Sequence, residues 1–206
     1  LVPKSEILEH YMPMLDLPSH EPAFLLFMKL EQELDDEMKR YLVHGRLSLH
    51  VAKMLLEINH EMRPHAIHLM SKLRFNINQQ KQLIEYLTDL SYIDNGALSD
   101  LLAGRSIEDI CSDNGLNVPQ KAKAVLRLLR TMRFPALSQA ERAFHKRTSG
   151  LDLPDGVRIT APPYFEASNY KLELSFKNGK DLKEKIVRLA RAGGLEDLRD
   201  PWMKEV

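Results

Sequence analysis

The sequence predicts a mainly α-helical protein, a multi-helix array with helix-turn-helix-like elements, that ends in a small C-terminal ββα unit. Over the first two thirds of the chain, apolar residues recur every three or four positions, which is the spacing of one helix face. From about residue 150, apolar and polar residues alternate instead, which is typical of half-buried strands. No stretch approaches the roughly 18 apolar residues that a membrane-spanning helix needs. We therefore expect no membrane segment.

Short amphipathic helices joined by tight turns occupy residues 1–92, which we predict to form one helical domain. Ser48 is a favourable N-cap for a helix that buries Val51 and Ala52. Pro64 suits the first turn of the helix after it. Asn78 is predicted to cap a third helix. The buried face of this third helix is expected to contain Leu83, Ile84, Leu87 and Leu90.

A helical extension is predicted over residues 93–149. The spacing of Ile107 and Cys111 indicates a short helix, and a turn is expected at residues 113–115. Pro119 then opens a longer helix that runs through Met132, and a further helix covers about residues 138–147. The long helix is strongly basic, which makes this extension the candidate for contacts with anions.

The last predicted domain covers residues 150–206. Alternating patterns over residues 157–161 and 170–176 predict two strands. A helix follows in which Leu182, Ile186 and Leu189 are expected to face inward, and Gly193-Gly194 ends it. Because a two-stranded unit is marginally stable alone, we expect this ββα piece to pack on another part of the chain.

The net charge of zero, with 29 Lys and Arg against 29 Asp and Glu, conceals a strong asymmetry along the chain. Residues 1–62 carry six basic and eleven acidic side chains, whereas residues 117–147 carry eight basic and one acidic side chain. The second segment therefore has a net charge of +7. Screening confines each field to about 8–10 Å, so this segment can attract a polyanion although the whole chain is neutral.

Cys111 is the only cysteine, which excludes an internal disulfide and a cysteine-based zinc site. Its apolar neighbours favour a buried small hydrophobic residue over a nucleophile. We expect a reducing cytoplasmic location, because disulfides are absent and no secretory signal opens the chain. The first residue is Leu1, so we also expect the chain to begin inside a longer protein.

One face of the predicted basic helix carries Lys123, Arg127 and Arg130 at positions i, i+4 and i+7. No acidic residue interrupts this helix, so the sequence of the helix itself offers no carboxylate to its cations. Three cations at one-turn spacing can contact successive phosphates and release counterions. The alternative is an ordinary solvated helix face.

The two helices predicted over about residues 65–73 and 79–90 resemble a helix-turn-helix, which places the start of its second helix in the major groove. That start contains Asn78, Gln79, Gln80, Lys81 and Gln82. Asn and Gln can form paired hydrogen bonds with adenine, and Lys can reach guanine or phosphate. Capping and solvation would explain the same polar residues.

We predict no catalytic residues, no metal ligands and no cofactor. The histidines His60, His65 and His68 lie close in sequence, but Pro64 separates His60 from the helix that holds the other two. No further ligand has a spacing typical of a metal site. No glycine-rich phosphate loop, nucleophile elbow or carboxylate pair is visible.

The segment His44–Leu56 resembles a signature of the ParB family of partition proteins. It has a glycine, a basic residue, Leu47-Ser48, and then a small-residue helix that ends in Leu55-Leu56. Residues 30–42 resemble the family's short preceding helix, and Phe75–Gln79 stands where the family has its next polar-capped helix. The resemblance covers about residues 5–90.

In the ParB family this helical region binds DNA through a helix-turn-helix, and the nucleotide-binding motifs lie in an amino-terminal domain that this chain lacks. The stretch Ser19–Leu30 matches the family's recognition helix, but it is nearly uncharged. The resemblance thus implies DNA binding whose contacts have moved to Gln79–Gln82 or to the basic helix.

The sequence as a whole predicts a non-catalytic DNA-binding segment of a ParB-like partition or regulatory protein. Nine methionines and the acidic amino-terminal third suit a different reading, a helical module that binds a partner protein or a second copy of itself. A third reading is the accessory part of an enzyme whose active site lies in a missing amino-terminal domain.

Overall fold

The computed structural model describes residues 2–93, 105–167, 169–199 and 202. The chain forms two compact units, Leu1–Arg133 and Phe134–Val206. The described part is mainly helical and has a two-stranded antiparallel sheet, which confirms the predicted fold class. Within this part, no helix has both the length and the apolar character needed to cross a membrane.

The amino-terminal unit begins with short helical segments. The helix α1, Lys4–Glu6, is followed by a π-helical turn over Ile7–Tyr11 and then by α2, Met12–Met14. Two longer helices come next, α3 over Glu21–Glu33 and α4 over Asp36–Val43. Asp35 caps α4, because its Oδ1 accepts the Met38 N–H at 2.8 Å. Gly45, just beyond α4, has a φ of +67°, a conformation that glycine adopts without strain.

The two helices that follow start as the sequence predicts. α5 spans Leu49–Glu57, and the Ser48 Oγ accepts the Val51 N–H at 3.2 Å, which confirms the predicted cap. α6 spans Arg63–Lys72 and has Pro64 in its first turn. Local rules suffice at both positions, because a cap supplies an acceptor to an N–H within one helical turn and a first-turn proline has no N–H that needs one.

α7 spans Ile77–Ile93, and its cap is Asn76 rather than the predicted Asn78. The Asn76 Oδ1 accepts the Gln79 N–H at 3.0 Å, and the Gln79 Oε1 accepts the Asn76 N–H at 3.0 Å. This reciprocal arrangement satisfies two backbone donors, which Asn78, inside the first turn, cannot do. The predicted buried face is confirmed for Leu83, Ile84, Leu87 and Leu90.

α8 spans Arg105–Ser112 and α9 spans Val118–Arg133. α9 starts like α7, because Asn117 and Gln120 exchange hydrogen bonds of 2.9 and 3.0 Å. Between the two helices, the Asp113 Oδ1 accepts the Gly115 N–H at 2.8 Å in the predicted turn. Cys111 is buried, as expected for a small hydrophobic residue.

The core of the amino-terminal unit lies between α5, α6, α7 and α9. α7 is the central helix, since α5, α6 and α9 all pack on it. The large side chains that are fully buried here are Val51, Leu55, Leu83, Ile84, Leu87, Val125 and Leu129. Burying each contributes roughly 1.5–3 kcal/mol relative to exposure.

The carboxy-terminal unit joins α10, Pro135–Ser149, to the ββα piece. The strands β1, Val157–Thr160, and β2, Lys171–Leu174, pair antiparallel, with Ile159 opposite Leu172. Leu137 and Ala140 of α10 share a small core with Phe165, and the Phe144 and Tyr170 rings stack at 5.5 Å. The ββα piece thus packs on a helix, as its marginal size requires.

The last helix, α11, spans Gly179–Arg191 and buries none of its residues fully. Leu182 and Leu189 are half-buried, but Ile186 is 51% exposed, so the prediction that Ile186 faces inward is wrong. The half-buried positions of α11 are instead Asp181, Leu182, Lys185 and Leu189, and the Lys185 Nζ donates to the Ser175 carbonyl at 2.7 Å, so the inward face is turned toward Lys185. Gly194 follows with a φ of +87°, close to the predicted end.

The predicted domain boundaries, 1–92, 93–149 and 150–206, do not coincide with the division between the compact units after Arg133. α9 packs on α7 across the first boundary, and α10 shares its core with Phe165 across the second. Both contacts join residues that are far apart in the sequence.

Candidate nucleic-acid interface

The basic helix α9 has one buried and one exposed face. Ala122, Val125, Leu126 and Leu129 are buried on α9. On the other face, Lys123 and Arg127 are exposed, and neither forms an ion pair with a described residue. Arg130 is half-buried, so the exposed cationic pair of this helix is Lys123 and Arg127.

The connection between α6 and α7 has the form of a tight helix-turn-helix junction. Four residues, 73–76, separate the two helices. Arg74 has a φ of +50°, and the Phe75 N–H donates to the Met70 carbonyl at 3.0 Å, which closes the end of α6. The left-handed residue lets α6 end and α7 begin within four residues.

Five polar residues at the start of α7 were predicted to contact DNA, and the structure gives them different surroundings. Asn78 and Gln82 are exposed, and the Gln82 Nε2 donates to the Tyr86 hydroxyl at 3.0 Å. Lys81 is half-buried. Gln79 is half-buried and uses its side-chain oxygen for the helix cap.

Gln80 is the exception, because it is only 4% exposed. Its Nε2 donates to the Arg46 carbonyl at 2.8 Å and to the Phe75 carbonyl at 3.0 Å. Both amide protons are therefore engaged within the fold. The expectation that Gln80 meets a base edge is corrected: its side chain joins the α4–α5 connection to the start of α7.

A groove of about 1120 Å³ lies beside this junction, between the α4–α5 connection and the α6–α7 turn. Leu47, Ile67 and Met70 line it and are buried, whereas Arg46 and Arg74 line it and are exposed. The Arg46 guanidinium lies 5.8 Å from the centre of the Tyr41 ring. This groove was not predictable from the sequence, because its walls come from three separate segments.

Both arginines of the groove carried a local signal in the sequence. Arg46 belongs to the ParB-like segment His44–Leu56, and Arg74 lies in the predicted turn between two helices. Neither forms an ion pair with a described residue. What the sequence did not show is that the fold brings both to the rim of one groove.

The described residues contain no group of three or more His, Cys, Asp or Glu side chains arranged to hold a metal ion. His65 and His68 lie on α6, while His60 lies in the 3-10 turn before it. Among the residues that the structure describes, a lowered carboxyl pKa is found at Glu173, through its hydrogen bond from Lys171, and at Asp181, through its hydrogen bond from the Lys177 backbone; both lie in the carboxy-terminal unit. The candidate interface lies in the amino-terminal unit and consists of exposed cations and amides, so neither of these carboxyl groups belongs to it.

No family model, no curated protein and no solved structure matches this chain. The resemblance of His44–Leu56 to the ParB signature thus remains a prediction from that segment. The exposed groups of the amino-terminal unit are therefore the evidence on which a function can be proposed.

Proposed function

We propose that the amino-terminal unit binds duplex DNA, as a non-catalytic segment of a ParB-like partition or regulatory protein. The observation that carries the proposal is the exposed cationic pair Lys123 and Arg127 on α9. Neither cation is neutralised by a described carboxylate, and the helix that holds them is fixed by its buried face. Cations without a described ion-pair partner, on a helix that is held in place by packing, suit phosphate oxygens, because contact releases the counterions of DNA.

The α6–α7 junction supplies groups that can read bases. Asn78 and Gln82 are exposed at the start of α7, and Lys81 lies between them. Amide side chains in a major groove can donate to and accept from an adenine edge at the same time. Sequence preference is therefore assigned to Asn78, Lys81 and Gln82, and general affinity to α9.

Titration of a fluorescently labelled duplex with the full chain, at about 50 mM and about 200 mM salt, tests this function. We expect affinity to fall about tenfold if two phosphates are contacted and about a hundredfold if four are contacted. A panel of duplexes of different sequence at the lower salt concentration measures preference. Absence of binding at low salt, or binding that ignores salt, refutes the proposal.

A second candidate is a module that docks a partner protein. It is favoured by exposed apolar side chains near the amino terminus. These are Met14, Leu15, Leu25 and Met28, which are 80%, 68%, 53% and 43% exposed. Contiguous apolar patches on a protein surface often mark protein contacts. This candidate gains if the duplex titration fails at low salt.

A further inference from the structure

We infer that the groove between the α4–α5 connection and the α6–α7 turn holds a phosphate of the DNA backbone, with Arg46 and Arg74 as its donors and Gln80 as the residue that positions them. The inference rests on the proposed function and adds a second phosphate contact region to it. It also gives a role to Gln80, which burial removes from base reading.

The electrostatics of the groove favour an anion. Two of its lining side chains are arginines, and no described lining residue is acidic. Glu37 accepts the Tyr41 hydroxyl proton at 2.9 Å but does not line the groove. Guanidinium groups present several N–H donors in a plane, and they bind phosphate oxygens in pairs. Two arginines that line one groove are therefore suited to bind a phosphodiester.

The hydrogen bonds of Gln80 fix the two arginine-bearing segments relative to each other. Its Nε2 bridges the carbonyl of Arg46 and the carbonyl of Phe75, the residue next to Arg74. The two segments are far apart in sequence, so no local hydrogen bond could set their distance. The Gln80 Oε1 is buried without a hydrogen-bond partner among the described residues. A buried amide oxygen without a hydrogen-bond partner lowers the stability of the fold, and an apolar residue at position 80 would avoid that loss.

The position of the groove favours a duplex backbone over a free phosphate compound. Asn78 lines the groove and is also the first exposed amide of α7 assigned to base reading. Phosphate contacts fix the register of a protein on DNA, and base contacts then read the sequence beside them. Because Arg46, Arg74 and Asn78 line the same groove, one DNA strand can place a phosphate at the arginines and a base near Asn78.

The test removes both guanidinium groups without straining the backbone. In the double variant Arg46→Gln and Arg74→Asn, asparagine tolerates the left-handed conformation of residue 74 better than most residues do. A matched control removes two exposed lysines that do not line the groove, through Lys53→Gln and Lys180→Gln. Both variants change the net charge by the same amount, so the global field changes equally.

Duplex binding is then measured across a series of salt concentrations for the full chain and both variants. We expect the arginine variant to lose about tenfold or more in affinity at low salt, and its slope of log affinity against log salt to be shallower by about 0.9, the value for one phosphate contact. The control should retain the slope of the parent. If the arginine variant binds like the parent, or if the control loses as much, the groove assignment is overturned while DNA binding stands. If the parent itself binds no duplex, both the assignment and the proposed function are overturned.

A third variant, Gln80→Leu, tests the positioning role. Leucine fills the buried volume but donates no hydrogen bond, so the helical circular dichroism should persist while duplex affinity falls several-fold and the slope becomes shallower. An unchanged slope would overturn the role of Gln80. Titration with inorganic phosphate alone, followed by the Nε–H resonances of Arg46 and Arg74, distinguishes the source of the phosphate. Saturation by inorganic phosphate without a matching shift on adding duplex would overturn the backbone assignment.

Discussion

Asn76 holds the start of α7 through two reciprocal hydrogen bonds with Gln79. Replacing a capping asparagine with alanine typically costs about 0.5–2 kcal/mol of stability, because a helix N–H loses its acceptor. We expect Asn76→Ala to lower the free energy of unfolding by that amount, as measured by urea denaturation. The exposed Asn78 provides the control, and Asn78→Ala should change stability by less than about 0.5 kcal/mol. A larger effect at Asn78 than at Asn76 would contradict the assigned cap.

Ala52 is fully buried on α5, a helix that packs on α7. A leucine at this position adds three carbon atoms to a fully buried site. We expect Ala52→Leu to cost about 1–3 kcal/mol, measured as a fall in the midpoint of thermal or urea unfolding. The exposed neighbour Lys53 is the matched control, since Lys53→Leu adds no buried volume. An Ala52→Leu protein with the stability of the parent would show that the α5–α7 contact is loose.

The role of a single residue was predictable from the sequence where that role depends only on the adjacent helical turn. Ser48 as a cap and Pro64 in a first turn follow from such local rules. The burial of Gln80 was not predictable in this way, because it depends on the carbonyl of Arg46, 34 residues away. Arg63 is a similar case: it is buried, and its Nη2 donates to the Glu33 carboxylate and to the Leu56 carbonyl, each at 3.0 Å.

At the scale of an element, the start of α11 contains a charged group whose effect depends on pH. The Lys177 backbone N–H donates to the Asp181 Oδ2 at 2.8 Å, and this hydrogen bond, with help from the Lys185 side chain, holds the pKa of the carboxyl below its ordinary 3.8. A depressed carboxyl pKa stabilises the fold above the unfolded-state pKa. That contribution is lost as the pH falls through the lower, folded-state pKa.

Asp181→Asn tests this effect, because asparagine keeps an acceptor oxygen and loses the charge. We expect the variant to melt at a lower temperature than the parent at neutral pH, and the difference to shrink as the pH falls below the ordinary carboxyl pKa of 3.8. The exposed Asp152, which forms no ion pair with a described residue, serves as the control through Asp152→Asn. A difference in melting temperature that persists at low pH would mean that the carboxylate charge is not the cause.

Helices and strands were predictable because their periodicity is local, whereas their partners were not. The apolar spacing of α9 was enough to predict its buried face, but not that this face packs on α7. The alternation in β1 was enough to predict a strand, but the aromatic core beside Phe165 depends on α10. The groove has the same origin, since its walls belong to three elements that only packing brings together.

The whole molecule has no net charge, so its proposed affinity for DNA has to come from local fields. Such fields act over about 8–10 Å at physiological salt. The exposed cations of α9 and the two arginines of the groove belong to one compact unit, Leu1–Arg133. Because they are few, we expect moderate affinity and a small salt slope, about 0.9 for each phosphate contacted.

DNA binding through the exposed cations of α9 is tested most directly by the salt dependence of duplex binding. It is measured for the full chain and for the double variant Lys123→Ala and Arg127→Ala. The two side chains are exposed on α9 and support no described contact within the fold, so the variant should fold like the parent. If both side chains contact phosphates, the slope of log affinity against log salt becomes shallower by about 1.8, and affinity falls alike for every duplex sequence. A variant that keeps the parent's affinity and slope would contradict the account, because the basic face of α9 would then be an ordinary solvated surface.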